Sequence, residues 1–291
     1  MSQSATGTHR KRRRTLSSVV AALAAVVIPL TVGSGPATAA VEIDRYAALG
    51  DSYAAGIELP NDKDPGDCWR SDHNYATLVA EELGIPALDD ITCGGATTVE
   101  MTQPQGTNPP QLGVLTADTD LVTLQIGGND IGFAEILQEC LGSGLWPFGS
   151  PCKDKYTAGG TDQLLQRIQA TAPKIAATVQ AIRERAPQAR ILVLGYPPIL
   201  PDTGSGCWPM IPIAFGDAPY LRSVHKALNT MIAQQAQANG ATYVDIYTPS
   251  IGHDACKAAG TRWVEGLSSP FFHPNATGHS AVADIVASAA S

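Results

Sequence analysis

Short apolar runs and longer helical patterns take turns along this chain from Tyr46 to the C-terminus, and that alternation restricts the possible folds more than any single motif. The apolar runs are Tyr46 to Leu49, Leu121 to Ile126, Arg190 to Leu194 and Thr242 to Ile246. They lack the strict apolar/polar alternation of a half-wet sheet, as expected of strands covered on both faces. Helical spacing is found in Asn74 to Leu83, in Leu164 to Arg185 with Pro173 as a kink or start, in Pro219 to Asn239 ahead of Gly240, and in Ala276 to Ala289 behind a capping Asn275. Strand and helix in alternation predict a three-layer α/β/α sandwich around a mostly parallel sheet. No repeat or linker divides residues 40–291, so one domain is expected. A chain of 291 residues that is 44% apolar and 16% charged is neither disordered nor a coiled coil, and it buries enough surface to need no structural metal.

The first 39 residues stand apart. Arg10, Lys11, Arg12, Arg13 and Arg14 precede an apolar stretch from Leu16 to Val32, and Ala37-Thr38-Ala39 follows. A basic start, an apolar middle and a small-residue end make a secretory signal peptide, with cleavage expected after Ala39. The apolar stretch is short and interrupted by Pro29, which disfavours a retained membrane anchor. Removing this segment leaves 14 basic against 27 acidic residues, a net charge of −13. With no basic cluster to displace counterions, the exported part is not a nucleic-acid binder. It is expected to be a monomer without cofactor.

Six cysteines follow the signal: Cys68, Cys93, Cys140, Cys152, Cys207 and Cys256. An even number in an exported chain, with no CxxC pair, points to three disulfides rather than a metal site. The cysteines alone do not choose among the possible pairings.

In an open parallel sheet the chemistry gathers beyond the carboxyl ends of the strands. Gly50-Asp51-Ser52-Tyr53 follows the first strand, where a serine on a tight turn into a helix presents its hydroxyl beside free backbone N–H groups; the same Asp-Ser pair also suits a helix cap. Gly127-Gly128-Asn129-Asp130 follows the Leu121 run, and Cys93-Gly94-Gly95-Ala96 lies near the end of a second strand. A glycine N–H and an Asn amide at neighbouring strand ends are suitable donors for an oxyanion. His273, ahead of Pro274 and the final helix, is the expected general base; His279 reads as a packing residue inside that helix, and His253 as part of the Cys256 loop. Gly142 to Gly160, with Trp146, Pro147 and Phe148, and Pro197 to Gly216, with Trp208, Pro209, Met210, Ile211, Pro212, Ile213 and Phe215, break the alternation as long apolar loops. These segments either line an acyl pocket or cover the sheet.

Taken in order, Gly50-Asp51-Ser52-Tyr53, Gly95, Gly127-Gly128-Asn129-Asp130 and His273-Pro274-Asn275 resemble the sequence blocks of the SGNH or GDSL hydrolase superfamily, in particular its secreted actinobacterial lipases and esterases. Cys68-Trp69-Arg70-Ser71 and Gly252-His253-Asp254-Ala255-Cys256 look like the same branch. The resemblance covers Tyr46 to the C-terminus. It implies a flavodoxin-like five-stranded sheet and hydrolysis of lipid or fatty-acyl esters through an acyl-enzyme on Ser52, with His273 as base. The oxyanion hole would comprise the Ser52 N–H, the Gly95 N–H and the Asn129 amide. It also implies sequential disulfides, Cys68 with Cys93, Cys140 with Cys152 and Cys207 with Cys256. A polysaccharide acetyl esterase and a non-catalytic binding protein on the same scaffold are the alternatives. Many members carry an Asp three residues before the histidine; here Pro270 holds that position. A backbone carbonyl near Ser269 or Pro270 is then expected to orient the imidazole, giving a dyad in place of a triad, unless Asp254 or Asp284 comes close.

Overall fold

The computed structural model describes residues 42–60 and 68–291; the segment read above as a signal peptide lies outside the described residues. The elements run β1 (Arg45–Gly50), α1 (Ser52–Ala55), α2 (Tyr75–Leu83), β2 (Ala87–Asp90), β3 (Leu121–Gln125), α3 (Phe133–Ser143), α4 (Pro151–Thr157), α5 (Gln163–Arg185), β4 (Arg190–Leu194), α6 (Asp217–Ala238), β5 (Thr242–Val244) and α7 (Ala276–Ala290). The five strands are all parallel in the order β2-β1-β3-β4-β5, which is the doubly wound arrangement expected.

Strand periodicity divides the core between two faces. Ala47 and Leu49 of β1, Val122 and Leu124 of β3, and Ile191 and Val193 of β4 pack with Ile175, Val179 and Ile182 of α5 and with Leu228 and Ile232 of α6. Their neighbours Tyr46, Ala48, Leu192 and Leu194 turn the other way, against Val79 of α2 and Val282 and Val286 of α7. Helices therefore cover both sides of the sheet, as its continuous apolar strands require.

Three differences from the sequence reading are local. The β2 strand, Ala-Leu-Asp-Asp, is a half-buried edge strand too short and too acidic to register as an apolar run. Helix α3 was not anticipated, although Phe133, Ile136, Leu137 and Cys140 carry its spacing. Part of the Gly142 to Gly160 stretch is helical: Pro151 opens α4 at its first turn, and the Asp217 carboxylate accepts from the backbone N–H groups of Cys152 and Lys153.

All six cysteines are paired, Cys68 with Cys93, Cys140 with Cys152 and Cys207 with Cys256. The second joins α3 to α4 and the third joins two loops; each stabilises by about 2–4 kcal/mol. Among the described residues no helix is long and apolar enough to cross a membrane.

Candidate active site

The reversal of strand order falls between β1 and β3, and the crevice for a ligand opens beyond their carboxyl ends. Gly50 ends β1 with φ +154°, and a Cβ there would lie 2.6 Å from the Gln125 carbonyl and 2.8 Å from the Ala54 Cβ. Only glycine lets β1 turn so tightly beside β3. Asp51 then caps α1, its carboxylate accepting from the Tyr53 N–H at 3.0 Å. Ser52 is consequently the first residue of a single helical turn, with its side chain aimed out of the sheet.

His273 meets it there. Its Nε2 lies 2.7 Å from Ser52 Oγ, and its Nδ1 lies 2.7 Å from the Phe271 carbonyl oxygen. A carbonyl can only accept, so Nδ1 carries the proton, Nε2 presents a lone pair, and the Ser52 hydroxyl donates to it. Burial lowers the His273 pKa, opposed by the Phe271 hydrogen bond and by the charge of Glu58. The orienting group is thus a backbone carbonyl, as expected without a carboxylate. It belongs to Phe271, however, and not to Ser269 or Pro270. Neither alternative carboxylate serves: Asp254 accepts from the Cys256 N–H, and Asp284 is exposed.

Of the anticipated oxyanion donors, Asn129 shares a cleft with Ser52, and Gly95 lies in the turn that follows β2. One N–H of the Asn129 amide donates to the Ala96 carbonyl at 2.9 Å, which fixes the plane of the amide and leaves its second N–H for a ligand. Gly95 sits at φ +77° in the turn after Cys93, and the Cys93 N–H donates to the Gly50 carbonyl at 3.0 Å, hanging that turn from the end of β1. The N–H groups of Ser52 and Gly95 make no hydrogen bond among the described residues. The two histidines that compete with His273 in the sequence are committed elsewhere. His253 stacks on Trp263. His279 is buried in α7 and accepts from the Tyr75 N–H, its pKa pushed down to about 3 chiefly by burial.

Two residues that sequence reasoning assigned no role complete the site. Tyr196, two residues beyond β4, donates to the Asp51 carboxylate at 2.5 Å and accepts from the Gly128 N–H at 3.0 Å, joining the ends of β1, β3 and β4. Burial pushes Asp51 up to about 7 despite these partners. Tyr53 packs its ring on His273, with centroids 4.7 Å apart.

From Ser52 an apolar cleft of about 870 Å³, open solvent at its mouth included, runs between α3 and α6, past Ile131, Phe133, Leu137, Ile199, Ile213 and Val224. Of the two stretches that broke the alternation, Pro197 to Gly216 supplies Pro198, Ile199, Leu200 and Ile213 to this cleft, and Gly142 to Gly160 supplies none of the residues that line it. No cluster of potential metal ligands is found among the described residues.

The family model described as GDSL-like Lipase/Acylhydrolase matches residues 48–281. A curated relative, Lipase 2 of Streptomyces coelicolor, is 41% identical over 285 residues, covering 94% of this chain and 95% of that protein. Among solved structures, phospholipase A1 from Streptomyces albidoflavus is similar at TM-score 0.71 and the extracellular lipase of Streptomyces rimosus at 0.70, each 28% identical and covering 84% of this chain and 99% of the other. With a family match spanning most of its length and a relative at 41% identity over nearly all of it, the chain belongs to the GDSL-like lipase/acylhydrolase family and is a carboxylic ester hydrolase.

Proposed function

We propose that residues 1–39 direct export and that residues 40–291 form a secreted catalytic domain that cleaves lipid esters through an acyl-enzyme on Ser52. The observation that carries the mechanism is the Ser52–His273–Phe271 relay of two 2.7 Å hydrogen bonds. As Ser52 Oγ bonds to the ester carbon, its proton passes to Nε2 and the carbonyl oxygen becomes an anion held by the Ser52 N–H, the Gly95 N–H and the free Asn129 N–H. Collapse breaks the bond to the alcohol, which leaves with the proton from Nε2. Water then gives a proton to the same nitrogen and attacks the acyl carbon; collapse breaks the bond to Ser52 Oγ, which takes that proton back from Nε2 as the acid is released. Throughout, Nδ1–H points at a carbonyl dipole in place of a carboxylate charge, which suffices to hold the tautomer and to favour the transient imidazolium. Export accords with three disulfides and with a similar lipase described as extracellular.

The acyl cleft favours a fatty chain. Apart from Asp51, Ser52 and Asn129 at the site, and Arg222 and His225, its walls are aliphatic and aromatic, and each methylene withdrawn from water is worth about 0.8 kcal/mol, close to four-fold in kcat/KM. Across p-nitrophenyl acetate, butyrate, octanoate and decanoate, kcat/KM is expected to climb by at least about two-fold per methylene until the cleft is full. Acetylated xylan should be a poor substrate; preference for it would overturn the lipid reading and favour the acetyl esterase.

Outside the cleft, Trp146, Phe148 and Phe215 form an exposed aromatic ledge, 68%, 61% and 37% accessible, with rings in contact. The ledge is held rigid: the Phe215 N–H donates to the Pro147 carbonyl and the Gly216 N–H to the Gly149 carbonyl. Such a surface suits contact with lipid aggregates. The double variant Trp146→Ser/Phe148→Ser is expected to lose about ten-fold in rate on emulsified triolein while hydrolysing dissolved p-nitrophenyl butyrate normally. Equal rates on the emulsion would remove the ledge from substrate handling.

A further inference from the structure

We infer that Tyr53 is a positioning residue for the base, supplying through a backbone carbonyl the restraint that a triad takes from its carboxylate. The inference rests on the dyad reading above and deepens it. The Tyr53 hydroxyl donates to the Phe272 carbonyl at 2.6 Å, a bond between residues 219 apart and fully buried. Phe272 adopts φ +53°, left-handed backbone that a bulky side chain rarely takes without surrounding restraint.

This conformation matters because Phe272 joins two peptide groups. The one before it carries the Phe271 oxygen that receives Nδ1–H; the one after it carries the Phe272 oxygen and leads into His273. Their relative orientation is set by the Phe272 dihedrals alone. The Phe272 N–H is tied to the Gly266 carbonyl at 3.1 Å, which holds the first peptide; the second is held at its N–H, where His273 donates to the Pro270 carbonyl at 3.0 Å, and at its oxygen by Tyr53. Held at both ends, the turn keeps the Phe271 oxygen against Nδ1.

The clamp is itself braced from the nucleophile's side. Tyr53 follows Ser52 on α1, its N–H is held by the Asp51 carboxylate, and its ring meets Tyr196 edge to face at 5.2 Å and Phe133 at 6.0 Å. One turn of helix thus carries both the reactive hydroxyl and the donor that fixes the base's loop, so that nucleophile and imidazole share a frame although they lie at opposite ends of the sequence. Tyr53 touches no reacting atom; it acts through Phe272 and through its ring contact with His273.

The test is Tyr53→Phe, which keeps the ring and removes only the donor. For p-nitrophenyl butyrate, kcat is expected to fall about ten-fold or more, as small misplacements of a catalytic group do, with KM held within about two-fold because the ring that Tyr53 contributes to the cleft is kept. A fluorophosphonate should label the variant to the same stoichiometry as wild type, at a rate slowed in parallel with kcat. Placing p-aminophenylalanine at position 53 returns an N–H donor to nearly the same point and is expected to recover most of the lost rate, which also keeps the test open if Tyr53→Phe folds poorly. Unchanged kcat in Tyr53→Phe, or fewer labelled sites with normal turnover per site, or no recovery with the amino analogue, would overturn the inference. Failure of the wild-type protein to label at Ser52 would instead overturn the dyad on which it rests.

Discussion

His273→Ala is expected to lower kcat by about 10⁴-fold or more while leaving KM for p-nitrophenyl butyrate nearly unchanged, because the side chain accepts a proton and adds little to the binding of the acyl group. Ser52→Ala should fall to the same residual level. The double variant should be no worse than either single one, since nucleophile and base act as a unit and removing one disables the other. Losses that multiplied would mean that the two side chains work independently, against the 2.7 Å contact between them. The pH profile supplies a second check. As the proposed base, His273 would act as the neutral imidazole, and burial, the largest influence on it, disfavours the charged form and lowers its pKa. It therefore stays competent to more acidic pH than a free histidine, and the acidic limb of kcat/KM should fall below the ordinary value of about 6.5. Asp51, pushed up to about 7 by burial, is another group able to shape that limb, and nearer to neutral pH than His225 of the cleft wall, which burial lowers to about 4. Asp51→Asn removes that carboxylate, and the limb that remains belongs to His273. A limb above about 6.5 in that variant would identify a different base.

The sequence announces this site unevenly, and the reasons are physical. Ser52, Asn129 and His273 each stand just past a strand or just before a helix, where Gly, Asp, Asn and Pro mark the turns that place them; local chemistry and position coincide, so they can be read. Buried strands announce themselves by continuous apolar runs, whereas β2, with Asp89 and Asp90 on an edge, does not. The orienting carbonyl of Phe271 depends on a left-handed turn at Phe272. Glycine or asparagine signals such a turn, and phenylalanine does not; expectation therefore fell on Ser269 or Pro270. Tyr53 and Tyr196 were illegible for a different reason. Their roles arise from hydroxyl groups reaching across the fold, Tyr53 to Phe272 and Tyr196 to Asp51, and nothing in a local pattern separates them from ordinary core tyrosines. By contrast, α3 was legible in principle, since its apolar residues keep helical spacing but sit directly after the glycine-rich turn that drew attention to Asn129.

Asn129→Ala should reduce kcat by about 100- to 1,000-fold with little change in KM, the loss expected when one donor is removed from an oxyanion hole. The two N–H groups of the amide have different partners. One is committed to the Ala96 carbonyl, a bond that orients the side chain before substrate arrives, and the other is free to meet charge that develops only as Ser52 attacks. A donor aimed in advance pays no reorganisation cost at the moment of reaction, which is why its removal shows in kcat more than in KM. Asn129→Asp sharpens the point, for it keeps the size of the side chain but replaces the free N–H with an oxygen lone pair and a negative charge facing the anion. Its loss should exceed that of alanine. If Asn129→Asp turned over as fast as Asn129→Ala or faster, the amide would not be facing the anion, and the hole would consist of the Ser52 and Gly95 N–H groups alone.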